Sequence, residues 1–553
     1  MKDLIKSISK NEWRFLILIM AAMVLITTIP YIFGYFSASP GTVYDGLHAL
    51  TAGDTPVYCS YINQVKSGNI FLKDLFTSET QDIGTLNIWW LLVGFMAKIF
   101  NLSPLFAFQI SRIVMVPIFI IIAYLFISYI FTEVRKRKLA LIFLLFSSGL
   151  GAYFANFFNQ FGWENTIPYR WPIDLWLGEA IIFNTLYQTS HFIASITLTL
   201  LIFLLVLLAL AKNKFSYAVI AGILCLFYFN FHPYYFPVIF GVLGLYLLVL
   251  FWQTKKILWR DVGYLLTVFL ISLPSVIYHF WLIVSSPTIA WRATQNITLI
   301  SPPIFVLIGY GFLWLGFGLG LWFLLKNKAL ENKFIFLLIW LTVNLALAYS
   351  AFPFQSRYTQ GLQFILVIFT VVGLLAIYDW LKIKLKSKTF DFWVNNPTLL
   401  GVLFILLFGT SNLYNLVRDF YYFSYKPGTV ASAFYLPKGL VSGIKWTDSL
   451  PGPQIILAAD IPARFTSCYS GQTVYLGHFH ETLFAYSKAL YLSWFFADNK
   501  NDEKKHQFLI KNNINLVFYS QYEKELGSFN PATKDYLKPI YQNPDIIIYQ
   551  VLK

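Results

Sequence analysis

The sequence predicts an all-α polytopic membrane bundle of about eleven transmembrane helices plus interfacial helices, with a small C-terminal α/β extracytoplasmic domain. Three observations carry that prediction. The chain is 58% hydrophobic and only 12% charged, with a mean hydropathy of +0.62, which excludes a soluble globular protein of ordinary make-up. Apolar runs near or above the roughly 18 to 20 residues that cross a bilayer recur from residue 13 to about residue 417, then stop. The basic residues behind the net charge of +15 cluster in short loops between those runs. That is the pattern of an inside-facing surface, not of nucleic-acid binding.

The first run, 13–36, follows Lys2, Lys6, Lys10 and Arg14 and exceeds the h-region of a cleavable signal. It reads as an uncleaved anchor with the N-terminus inside. The first outer loop, 37–104, contains a short apolar piece at 85–100. If that piece crossed, Arg135-Lys136-Arg137-Lys138 would lie outside. It is therefore laid along the outer interface as an amphipathic helix carrying Trp89 and Trp90. The remaining crossings are 105–132, 139–157, 192–211, 216–231, 235–253, 262–284, 303–325, 334–350, 360–381 and 398–417. Every inside loop is then basic, at 135–138, 212–214, 255–260, 326–333 and 382–388, while the short outside loops hold single arginines, Arg170, Arg292 and Arg357.

The chain divides into a transmembrane domain, 1–417, and an outside domain, 418–553. In the latter, 454–459, 515–519 and 546–551 alternate as strands, and 483–496 and 504–512 have helical patterns. Cys59, Cys225 and Cys468 show neither metal-ligand spacing nor a disulfide framework.

The crossings hold almost no ionisable side chains in their middle thirds, where proton relays and ion-coupled transport need them. Acids and histidines gather instead at the outer ends: Asp54, Glu164, Asp174, Glu179, His191, His232 and His279. Each alone reads equally well as a cap or an interfacial anchor; together they point to a site at the outer leaflet. Asp54, in Gly53-Asp54-Thr55-Pro56-Val57-Tyr58, is a carboxylate braced by glycine and proline beside the interface, although Gly-Asp and Thr-Pro are also ordinary turn dipeptides. Asp174 and Glu179, five residues apart, need not share a helical face. Arg357, with Arg292 and Arg418 as rivals, suits a phosphate because guanidinium donates bidentately and stays charged; headgroup contact is the bland alternative. In the tail, His478-Phe479-His480-Glu481 offers a His-x-His pair without a third ligand at standard spacing, so it reads as a strand-to-helix turn rather than a zinc site.

This pattern resembles the GT-C superfamily of integral-membrane glycosyltransferases, which includes protein O-mannosyltransferases and lipid A aminoarabinose transferases. The resemblance rests on Asp54 in the Gly53 to Tyr58 motif, a long loop lying on the membrane, ten or more crossings and an outside C-terminal domain. The stretch Tyr469-Ser470-Gly471-Gln472-Thr473-Val474-Tyr475-Leu476-Gly477-His478 with Glu481-Thr482 adds to it. Many members carry a pair of acids in the first loop, whereas Asp54 has no adjacent acid.

The resemblance implies a sugar donor on a polyprenyl phosphate or diphosphate, a lipid, glycan or protein acceptor, and inversion at the anomeric carbon. Asp54 would be the general base, with Glu179 or Asp174 as second acid. Arg357 and Arg292 would face the lipid phosphate, and Tyr58, His191, His232, His478 and Glu481 would complete the substrate site. No metal ligands are assigned; a divalent metal stays open as cofactor. The implied location is the plasma membrane, with the bilayer as partner and no nucleic acid. A lipid-linked oligosaccharide flippase or other transporter, a non-catalytic scaffold and an O-antigen-ligase-like enzyme are the competing readings.

Overall fold

The apolar runs are helices in the computed structural model, which describes residues 1–48, 53–160, 170–384, 396–424 and 434–552. Among the described residues, eight helical stretches are long and apolar enough to cross a membrane: Lys10–Phe36, Pro104–Ile130, Val134–Ala155, Ser190–Lys212, Pro233–Thr254, Trp259–Ser285, Gln355–Lys384 and Thr398–Ser424. Two more of the expected crossings, Phe215–Phe231 and Asn332–Ala348, are apolar helices of 17 residues each. At 1.5 Å per residue they reach about 25 Å, somewhat short of the roughly 30 Å hydrocarbon core.

Where the sequence predicts one straight crossing at 303–325, the structure has two helices, Pro303–Tyr310 and Phe312–Lys326, bent by 81°. Gly311 sits at the break with φ of +50°, a conformation that L side chains resist. A second interruption, between Val134–Phe146 and Gly151–Gln160, packs into it. There Leu150 N–H donates to Ile308 C=O at 2.9 Å. The breaks leave each chain's unpaired backbone groups to be satisfied by the other, which hydropathy does not reveal.

Two units divide the chain. The first comprises Met1–Ile29, Arg112–Tyr278 and Thr298–Arg418; the second comprises Pro30–Ser111, His279–Ile297 and Asp419–Lys553. In the first unit, basic residues of two loops and the N-terminus are tied to neighbouring elements. Lys212 pairs with Asp3, the N-terminal amine donates to Tyr217 Oη at 3.1 Å, and the Arg135 guanidinium lies 4.5 Å from the Tyr378 ring centre. Glu12, fully buried, accepts from Tyr124 Oη at 2.6 Å and pairs with Arg137 at 3.3 Å, so neither charge is left alone in the bundle.

The second unit gathers most of the first loop around the tail. Helix Ile88–Ile99, only 12 residues long, is too short to cross a bilayer upright. It lies against helix Thr55–Lys66, where a Cβ on Gly94 would meet Val65 Cβ at 2.3 Å. Leu92, Phe95, Ile99 and Phe100 on it or just beyond it are exposed, as an interface-lying helix requires.

The tail's five-stranded sheet has the order Thr473–Val474, Ile455–Leu457, Leu516–Ser520, Ile546–Val551, Leu537–Gln542, the first three parallel and the last two joined antiparallel. Strand alternation sends Leu516 and Phe518 into one core with Leu440 and Phe465, and Val517 into another with Leu492 and Leu509, so helices cover both faces. The strand at Leu537–Gln542 was not legible because Lys538 and Pro539 break its apolar alternation.

The cysteine reading is corrected. Cys59 and Cys468 form a disulfide across a sequence separation of 409, leaving Cys225 as the one free thiol. Helix Asp460–Tyr469 packs on helix Thr55–Lys66 and brings the two together, a pairing that spacing alone cannot show. Denatured protein prepared without reductant is expected to take one maleimide-polyethylene glycol, at Cys225, and reduced protein three. Three additions without reductant would refute the bond. Replacing either partner by serine is expected to cost about 2 to 5 kcal/mol.

Candidate functional site

The sequence-predicted residues fall into two groups, one inside each unit. The group in the second unit begins with Asp54, which occupies the N-cap position of helix Thr55–Lys66. Its side chain makes no capping bond there; instead Asp54 Oδ1 lies 3.3 Å from His478 Nε2. The backbone brings His478 in firmly. Val474 N–H donates to Leu75 C=O at 2.9 Å, Thr482 Oγ1 donates to Phe76 C=O at 2.6 Å, and Leu483 N–H donates to Thr77 Oγ1 at 3.1 Å. Gly477 is required by this approach, since a Cβ there would come within 2.7 Å of the Phe76 ring.

Burial works against charge on His478, but the hydrogen bond to Asp54 and the nearby carboxylates outweigh it, and its pKa is raised. The protonated imidazole thus persists above its ordinary range and holds Asp54 as the carboxylate. The pair's contribution to stability is full below the ordinary histidine value of about 6.5 and is lost as pH rises through the raised one.

Beside this pair stands Arg292. Its Nη1 lies 3.2 Å from Glu481 Oε2 and 3.7 Å from Asp74 Oδ2, and it also takes a hydrogen bond with Tyr61. Burial opposes charge on the guanidinium, yet Glu481, Tyr61 and Asp74 together raise its pKa. Asp74 is pushed upward by burial and then by Glu481, with Arg292 pulling the other way. The Tyr58 ring stacks on Trp90 at 4.9 Å and on Phe108 at 6.0 Å.

Asp74 and Tyr61 escaped the sequence reading. The signal for Asp74 was present, an acid further along the same first loop set among Leu72, Leu75 and Phe76, but nothing local says that it folds back toward the tail. Among the described residues no three His, Cys, Asp or Glu side chains are grouped to ligate a metal, and Arg292 already stands as the cation between Asp74 and Glu481.

The group in the first unit joins Glu179, Arg357, His191 and His232. Arg357 Nη1 pairs with the buried Glu179 carboxylate, and its guanidinium lies 5.2 Å from the Phe192 ring centre. His191 Nδ1 is 2.6 Å from Thr189 Oγ1, and its ring meets His232 edge-on at 5.3 Å. Tyr235 Oη donates to the Arg357 carbonyl, which fixes the arginine's backbone.

Asp174 stands apart from that group. It accepts from Gly151 N–H at 3.0 Å, at the start of helix Gly151–Gln160, and Asn184 and Asn415 donate to its carbonyl at 2.9 and 3.0 Å. Burial raises its pKa to about 7, against the pull of hydrogen bonds from Ser411 and Gly151. Asp174→Asn, which keeps the acceptor, is expected to melt close to the wild type and keep its activity. Asp174→Ala, which orphans Gly151 N–H, is expected to lose about 1 to 3 kcal/mol. Loss of turnover in the amide with unchanged melting would make Asp174 catalytic instead. Glu164 lies outside the described residues.

No protein-family model and no curated protein sequence matches the chain. Solved structures do. An Archaeoglobus fulgidus oligosaccharyltransferase tethered to an acceptor peptide containing the NVT sequon is 14% identical, with a TM-score of 0.52, over 92% of this chain and 69% of that one. The same archaeal enzyme, AglB, in complex with an inhibitory peptide and a dolichol-phosphate gives 13% identity and a TM-score of 0.50, over 93% and 70%. Its complex with Zn and sulfate gives 14% and 0.50, over 96% and 72%. The chain therefore shares the fold of archaeal oligosaccharyltransferase over nearly its whole length.

Proposed function

We propose that the chain is a membrane glycosyltransferase that moves a sugar from a polyprenyl phosphate or diphosphate to an acceptor hydroxyl, with inversion. The observation that carries this reading is the Asp54 to His478 pair at 3.3 Å, set on a GT-C fold. Asp54 takes the proton of the acceptor hydroxyl as its oxygen bonds to the anomeric carbon, and the bond from that carbon to the phosphate oxygen breaks with its electrons leaving on the phosphate. A positioned base contributes typically about 10² to 10⁴-fold. Arg292, in the same unit as Asp54, is assigned to the negative charge that grows on the departing lipid phosphate. It is held by carboxylates, so it is oriented before substrate arrives.

The dolichol-phosphate bound by the archaeal neighbour supports a polyprenyl-linked donor, and its acceptor peptide supports a macromolecular acceptor. The basic loops between the apolar runs, with Lys212 paired to Asp3 beside the N-terminus, support a cytoplasmic N-terminus in the plasma membrane. The Cys59 to Cys468 disulfide supports an oxidising, extracytoplasmic setting for the second unit.

Purified full-length protein in lipid nanodiscs, given radiolabelled polyprenyl-phosphate sugars and a hydroxyl acceptor, is expected to form a glycoside of inverted anomeric configuration, read by proton couplings. Nucleotide sugars are expected to give none. Transfer from nucleotide sugars alone, or movement of the lipid donor across the bilayer without transfer, would overturn the reading.

A further inference from the structure

Within the first unit, helices Phe312–Lys326 and Leu362–Lys384 meet backbone to backbone at glycines. A Cβ on Gly320 would stand 2.0 Å from Phe369 O, and one on Gly373 would stand 2.8 Å from Gly320 N. From that crossing toward Lys326 and Lys384, side chains of growing size hold the helices apart. A cavity of about 260 Å³ opens between them, lined among others by Leu319, Trp322, Ile377 and Trp380, with Lys326 and Asn327 at its charged end. It is smaller than the roughly 300 to 1,000 Å³ of sites that enclose a drug-sized molecule, so it takes a headgroup or a short length of chain.

Its chemistry is amphiphilic and of one sign. Trp322 and Trp380 are both exposed. Lys326 Nζ lies 4.8 Å from the Trp322 ring centre, and Lys384 Nζ lies 5.5 Å from that of Trp380. Among the described residues no acidic side chain lines the cavity. Interfacial tryptophan and a snorkelling lysine occur singly on many membrane helices. Here two such pairs flank a recess, which a simple aromatic belt does not need. We propose that this recess binds an anionic phospholipid, its phosphate at Lys326 and the first part of one acyl chain between Trp322, Trp380 and Ile377. Basic recesses between membrane helices are suited to anionic headgroups, and each lysine near the surface adds about 1 kcal/mol. The site is independent of the sugar chemistry: it uses neither arginine cluster nor Asp54.

Native mass spectrometry of the full-length protein, titrated with phosphatidylglycerol or phosphatidylcholine, tests it. Wild type is expected to retain phosphatidylglycerol in preference to phosphatidylcholine. Lys326→Gln is expected to weaken the phosphatidylglycerol adduct about fivefold, as loss of one such charge implies, and to leave phosphatidylcholine unchanged. Trp322→Ala is expected to weaken it too, whereas Lys255→Gln, in another basic loop, leaves it intact. Equal binding of the two lipids to wild type, or equal phosphatidylglycerol binding by Lys326→Gln, would overturn the proposal. So would a Lys255→Gln effect as large as that of Lys326→Gln, which would mean diffuse surface charge. Displacement of the lipid by excess inorganic phosphate would make the ligand free phosphate instead.

Discussion

Asp54→Asn is expected to lower sugar transfer from a polyprenyl-linked donor by about 10² to 10⁴-fold while the protein still inserts and, at alkaline pH where the Asp54–His478 pair no longer contributes, melts as the wild type does. The size follows from removing a base whose only replacement is water. The separation from folding follows from where the side chain sits. Asp54 holds the N-cap position of helix Thr55–Lys66 without making the capping hydrogen bond, so the amide forfeits no helix cap. Asparagine also keeps an oxygen that accepts from His478 Nε2–H, so the imidazole stays in place while the proton acceptor is lost. Donor affinity is expected to change little, because the effect lies on the proton and not on the phosphate. The measurement is initial rate of label transfer at saturating donor, alongside the thermal midpoint. Wild-type turnover in the variant would remove Asp54 from the chemistry and move the search for a base to Glu179 or Asp74.

Most of the crossing helices were legible because a bilayer imposes one rule, length and apolarity, that a run can obey by itself. The tail strands at Ile455–Leu457, Leu516–Ser520 and Ile546–Val551 were legible because local alternation sets their faces. What stayed hidden depends on contacts between distant parts of the chain. Nothing near Cys59 announces Cys468, nothing near Asp74 announces Arg292, and the turn at Gly311 is forced by a second break more than a hundred residues earlier. Among candidate site residues, Asp54, His478, Glu481 and Arg292 were each picked out singly, as were Glu179, Arg357, His191 and His232. Their grouping was not, since sequence spacing carries no information about which outer-end groups meet.

Arg292→Met is expected to destabilise the second unit by about 3 to 5 kcal/mol near pH 8 and by much less near pH 5. Methionine fills the volume of the arginine stem, so packing is nearly kept and the missing cation is the main change. Asp74 is buried, 3% exposed, and its pKa stands above the ordinary carboxylate range even with Arg292 present. Without the guanidinium it rises further. A raised acid imposes no penalty below its unfolded value of about 3.9, and the full penalty once pH passes its folded value. Acidification therefore lets Asp74 neutralise by taking a proton, and the variant recovers, whereas alkaline pH leaves two carboxylates facing each other uncompensated. Adding Asp74→Asn and Glu481→Gln to Arg292→Met is expected to restore most of the loss at high pH, because no buried charge then lacks a partner. The check is limited proteolysis and the thermal midpoint of both variants across that range. A constant deficit at every pH would show that Arg292 stabilises through packing or Tyr61, and would dismiss it as the internal cation of this cluster.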